Sequence, residues 1–140
     1  RQRLDDGRVI PTLIRQALVG EEITINGDGK QTRSFCFVDD LIDGLLRLRN
    51  HASHVAGPVN LGNPNEITIT ELAAVIVRAT GATSPTAYRQ RRPDAPVRRC
   101  PDISYAQQIL NWFPSTSLEN GIALTVEWVV RELARSASGP

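Results

Sequence analysis

The chain is 140 residues long, 41% hydrophobic and 22% charged, with a formal net charge of +1. This composition suits one folded domain and excludes a disordered chain, which needs less apolar content and more net charge. The near-neutral balance supplies no global field toward nucleic acid or a membrane, and no apolar run reaches the roughly 18 residues of a membrane span.

Ile10, Leu13, Ile14, Ala17 and Leu18 recur at helical spacing, which predicts a first helix over 9–19. Pro11 suits its first turn and Gly20 its end. Ile23-Thr24-Ile25 reads as a strand entering the Gly27–Gly29 turn, and Ser34 to Phe37 as a second strand. Asp39 and Asp40 open the next helix, where carboxylates suit free backbone N–H groups and the dipole. The expected buried face of that helix is Leu41, Ile42, Leu45, Leu46 and Leu48.

Pro58 to Leu61 reads as a short strand ending in the turn at 62–65. Helices stand on both sides of it, so it calls for a parallel neighbour that the chain does not offer. Thr68-Ile69-Thr70-Glu71 is a capping box that opens a helix burying Leu72, Ala73, Ile76 and Val77 and stopping at Gly81. Thr86 to Arg89 is read as a strand, and 89–101 as a loop broken by Pro93, Pro96 and Pro101. A short helix at 103–111 precedes Trp112-Phe113-Pro114. A second capping box, Thr116 to Glu119, opens a last helix with Leu118, Ile122, Val126, Val129 and Leu133 inward. The class is α/β with a small, incomplete sheet. Methionine is absent and residue 1 is arginine, so a piece of a longer product is expected.

Three arginines are candidates for one diphosphate. Arg33 follows a two-glycine turn at a strand edge, where a guanidinium grips phosphate with paired donors; its plain alternative is pairing with Asp28 or Asp39. Arg8 stands at a helix N-terminus, which favours an anion beside it; its plain alternative is a salt bridge to Asp5 or Asp6. Arg99 lies in a loop where Arg89, Arg91, Arg92 and Arg98 also crowd. A nucleic-acid role for that loop is disfavoured, because Tyr88 is its single stacking platform. His51 and His54 sit at and beyond a helix C-terminus with no partner for catalysis or metal. Trp112 and Trp128 read as packing residues. Cys36 and Cys100, without a CxxC pair, suit free thiols in a reducing cytoplasm, although one bridge stays open.

The order Asp-Asp-Gly-Arg-Val (5–9), Gly-Asp-Gly-Lys-Gln-Thr-Arg-Ser-Phe (27–35), Val-Asp-Asp-Leu (38–41), Pro-Val-Asn-Leu-Gly-Asn-Pro (58–64), Arg-x-Pro-Asp-Ile (99–103) and Trp-x-Pro (112–114) resembles the C-terminal half of extended short-chain dehydrogenases. Within them it is most similar to the UDP-glucuronate decarboxylase family, with dTDP-glucose 4,6-dehydratase or a sugar epimerase as the alternative. The resemblance implies a nucleotide-sugar-binding portion over 1–135, a frayed tail at 136–140, and one strand, 58–61, of a Rossmann sheet. It implies that NAD is held by an N-terminal half, because neither Gly-x-Gly-x-x-Gly nor Tyr-x-x-x-Lys is present here and Lys30 is the single lysine.

It also implies that Arg8 and Val9 lie near the diphosphate, that Thr24, Ile25 and Asn26 line the nucleobase, and that Arg33 binds ribose or diphosphate. Arg99 would reach the diphosphate or sugar and take part in catalysis. Asn26 stands where the family usually has tyrosine, and Ala95 where an acid is common. The partners implied are a UDP-sugar, the N-terminal half and a second subunit, with no metal. The isolated chain is expected to be inactive and to expose apolar faces. A contrasting reading is a non-catalytic nucleotide-sugar-binding or assembly module.

Overall fold

Proline and glycine set the ends of the first helix as the sequence predicts. In a computed structural model, which describes residues 7–51, 55, 57–90 and 97–137, α1 spans Val9–Val19. Pro11 is buried in its first turn, and Gly20 ends it at φ 73°, a left-handed conformation that glycine adopts without strain. The remaining elements are β1 (Ile23–Asn26), β2 (Thr32–Ser34), α2 (Val38–His51), β3 (Glu66–Thr68), α3 (Ile69–Thr80), β4 (Thr86–Arg89), α4 (Ser104–Leu110) and α5 (Leu118–Ala137). The chain divides into two compact units, one of Arg1–Gln31, Thr68–Ala95 and Glu119–Pro140, the other of Thr32–Ile67 and Pro96–Leu118.

In the first unit β1 pairs in parallel with β4, Ile23 opposite Thr86 and Asn26 opposite Arg89. Helices α1 and α3 pack on each other and on β1. Their inward residues Leu13, Ile14, Leu72 and Ile76 join Ile23 and Ile25, each at most 1% exposed. Burying such a side chain contributes about 1.5–3 kcal/mol. Ile122 and Val129 of α5 are buried as well. The capping box of α3 is formed as read: Thr68 Oγ1 accepts from Glu71 N–H at 3.1 Å, and Glu71 accepts from Thr68 N–H at 2.9 Å.

In the second unit β2 pairs with β3. Ile103, Ala106, Leu110 and Trp112 form its core, with Cys36, Leu48, Val59, Leu61 and Ile109 packed against them. Trp112 approaches α2 at Gly44, where an added Cβ would stand 2.9 Å from the ring and 3.0 Å from Leu61.

Several expectations are corrected. The second strand is Thr32–Ser34, not 34–37: the Phe35 carbonyl is taken by the Asn63 side chain at 3.0 Å, and the Phe37 carbonyl by Leu41 N–H at the start of α2. Strand β3 was hidden in what reads as a turn running into a cap. Residues 58–61 form no ladder among the described residues, as expected of a segment whose neighbour the chain does not offer. Thr116 is not a cap, because α5 starts at Leu118 and the Thr116 N–H goes to Asp40.

The inward face of α2 is also different. It buries Asp40 and Gly44, while Val38, Ile42, Leu45 and Leu46 are 48–57% exposed. Apolar periodicity identifies a stripe but not what covers it. Here the close approach of Trp112 demands a small residue, and that turns the apolar stripe outward. Replacing Ile42 and Leu45 together by Lys should therefore change unfolding free energy by less than about 0.5 kcal/mol and reduce self-association. A large stability loss in urea titration would mean that the stripe is covered within this chain.

Candidate functional site

The predicted site residues fall in both units. In the first, Arg8 is the residue before α1, exposed and extended at φ −74°, ψ 143°, with its carbonyl accepting from Thr12 N–H at 3.2 Å. Val9 is half-buried in the first turn. Asp5 and Asp6, the plain partners of Arg8, lie outside the described residues, as do His54, Arg91, Arg92 and Ala95.

Of the β1 residues, Asn26 alone presents an exposed side chain. Ile25 is 1% exposed and belongs to the core. The Thr24 hydroxyl accepts from Gln16 Nε2 at 2.8 Å, and Gln16 Oε1 accepts from Thr24 N–H at 3.1 Å. The Ile25 side chain thus lies in the core and that of Thr24 is bonded to Gln16. Alternation along a strand already separates 24 and 26 from 25.

The Gly27–Gly29 turn is closed rather than open. Gly29 lies at φ 75°, its carbonyl accepts from Thr70 N–H at 3.2 Å, and an added Cβ would overlap the Thr70 hydroxyl. The turn leads into a strand and not a helix, so it lacks the helix N-terminus that holds a dinucleotide pyrophosphate. Gln31 is buried beyond it, Nε2 donating to the Asn26 carbonyl at 2.6 Å.

In the second unit Arg33 and Arg99 are brought side by side through their backbones. Thr32 N–H donates to the Val97 carbonyl at 3.1 Å, and Ser34 Oγ donates to the Arg99 carbonyl at 3.2 Å. The 97–99 segment therefore runs along β2. One Arg33 nitrogen donates to the carbonyls of Thr32 at 2.6 Å and Val97 at 3.3 Å. Asp28 closes its own turn by accepting from Lys30 N–H at 3.0 Å. Arg99 is exposed, and a cavity beside it is lined by Arg98, Cys100, Pro101 and Asp102.

Sequence reasoning missed Glu66. One of its oxygens accepts from Thr32 Oγ1 at 2.6 Å, the other from Arg98 Nε at 2.7 Å. The bond from Arg98, then that from Thr32, holds its carboxyl below the usual range. A glutamate following a turn carries no local signal for such a role.

Among the described residues no group of histidine, cysteine and carboxylate side chains could hold a metal ion. Cys36 and Cys100 are free thiols. Burial, reinforced by the Asp40 charge, pushes the Cys36 thiol up to about 11, so it is no nucleophile at neutral pH. His51 Nδ1 lies 3.0 Å from the Arg47 carbonyl in the last turn of α2, a helix-end contact. No helix among the described residues is long and apolar enough to cross a membrane.

The profile of the NAD dependent epimerase/dehydratase family matches residues 1–62. UDP-glucuronic acid decarboxylase 2 of Arabidopsis thaliana is 46% identical over 127 residues, 91% of this chain and 28% of that protein. UDP-glucuronic acid decarboxylase 1 of Danio rerio is 43% identical over 138 residues, 99% of this chain and 32% of that protein. Among solved structures, an epimerase from Methanothermobacter thermautotrophicus superposes with a TM-score of 0.85 at 31% identity, over 92% of this chain and 39% of that one. A UDP-glucuronic acid 4-epimerase from Bacillus cereus, in complex with UDP-glucuronic acid and NAD, gives 0.81 at 27%, over 94% and 42%.

The chain is similar over residues 1–62 to the NAD dependent epimerase/dehydratase family, and its solved structural neighbours have the Rossmann-type α/β fold. Its curated relatives are UDP-glucuronic acid decarboxylases, and it spans about a third of their length.

Proposed function

We propose that this chain is the nucleotide-sugar-binding, C-terminal portion of an NAD-dependent UDP-glucuronate decarboxylase, which turns UDP-glucuronate into UDP-xylose and carbon dioxide. The observation that carries this reading is identity of 43–46% to UDP-glucuronic acid decarboxylases over nearly the whole chain. The adjacency of Arg33 and Arg99 supports it. Among the described residues, the glycine turn that follows β1 is closed by Thr70 and offers no cradle for NAD. In this reading the cofactor is held by the N-terminal portion.

This chain's part is binding and charge control. Arg33 and Arg99 offer paired guanidinium donors to a diphosphate. As carbon dioxide leaves, negative charge builds on the sugar, and the Arg99 guanidinium supplies donors for it. The outward apolar stripe of α2 and the unladdered 58–61 segment receive the NAD-binding portion, and the complete enzyme is a homodimer. Its compartment is the cytoplasm, in keeping with two free thiols.

Calorimetric titration with UDP tests the reading. The chain is expected to bind UDP, Arg33→Ala and Arg99→Ala each weakening it about tenfold, the value of a charge-assisted hydrogen bond. With NAD and UDP-glucuronate added, the isolated chain should show no turnover. Folded wild-type chain that ignores UDP would remove the proposal of a preformed site.

A further inference from the structure

Glu66 occupies an unusual place between three pieces of backbone. It begins β3, takes a hydroxyl proton from Thr32 of β2, and takes two donors from Arg98 in the segment that runs along β2 on its way to Arg99. The Glu66 side chain is 20% exposed and that of Arg98 is 72% exposed. Exposed ion pairs contribute little to stability, so global cohesion does not explain this one. What it changes is register. Without it, the 97–99 segment is held to β2 chiefly by the Thr32 N–H to Val97 bond, the Ser34 hydroxyl and the Arg33 side chain. A slip there would alter the spacing of Arg33 and Arg99.

Resting on the nucleotide-sugar reading above, we propose that Glu66 and Arg98 are a positioning pair. They lock the 97–99 segment onto β2, and so set Arg33 and Arg99 at the spacing that grips a nucleoside diphosphate. Neither touches the ligand. Arg98 spends its guanidinium on Glu66 and leaves Arg99, the next residue, to face outward.

The test compares wild type, Glu66→Gln, Arg98→Gln, the double variant and Arg98→Lys, by hydrogen exchange at the Thr32 amide and by UDP titration. Each Gln variant should speed Thr32 exchange and weaken UDP about tenfold, with melting and the exchange of core amides such as Ile25 unchanged. The double variant should be no worse than either single, because both remove one interaction. Arg98→Lys, which keeps the charge but not the two-pronged grip, should recover part of the affinity.

Equal UDP affinity in wild type and both Gln variants overturns the positioning pair while the nucleotide reading stands. Unchanged Thr32 exchange overturns the lock. Wild-type chain that fails to bind UDP overturns the nucleotide reading, and the diphosphate part of the proposal with it.

Discussion

Trp112→Ala should cost the second unit about 4 kcal/mol, the range for deleting a buried aromatic ring. Trp112 is 1% exposed and central among Ile103, Ala106 and Leu110. The ring also fills the notch that Gly44 leaves in α2, so its removal opens a cavity between α2 and the 101–112 region. Its Nε1 donates to the Asp40 carbonyl at 3.0 Å. Losing that bond is the smaller part, because a helical carbonyl also has its backbone partner. Trp112→Phe should cost about half as much. The measurement is urea unfolding followed by circular dichroism, with Trp128 as a separate fluorescence reporter. A Trp112→Ala chain within 1 kcal/mol of wild type would show that this ring does not hold the unit together.

Asp40→Ala comes next, at about 3 kcal/mol. Asp40 is 8% exposed; one carboxylate oxygen accepts from Ser115 Oγ at 3.0 Å and the other from Thr116 N–H at 3.0 Å. Alanine leaves both donors without their acceptor, and that desolvation penalty exceeds the net worth of the bonds. Asp40→Asn keeps one acceptor oxygen and should cost about half. The pH dependence carries a definite sign. Burial pushes the carboxyl up, but the bonds from Thr116 and Ser115 outweigh it and hold it below its ordinary value. A depressed folded value means that the stabilisation is present above the unfolded value, about 4, and is lost as pH falls through the folded one. Asp40→Asn should remove that acid-side loss. If wild type and Asp40→Asn lose stability identically from pH 5 to pH 2, the assignment to Asp40 is wrong.

These two substitutions act on one joint, α2 against the 110–116 loop, so their combined effect should fall short of the sum. The same joint sets the inward face of α2. Two carboxylates at a helix start predict local caps. Asp39 is exposed at that start, whereas Asp40 reaches 75 residues along the chain to Ser115.

Sequence alone determined the helices, because their signals are local. Spacing of Leu13, Ile14 and Ala17, the Thr68–Glu71 box and the glycines at 20 and 81 each act within a few residues, and each appears in the structure. The motifs also carried the family, since Arg33, Arg99 and the turns around them are read in order along the chain. Only the tertiary structure decided which strands pair, which face of α2 is covered, and that Glu66 serves Thr32 and Arg98. Those outcomes depend on partners 30 to 75 residues away, and a hydrogen bond or a covered face leaves no periodicity at that distance.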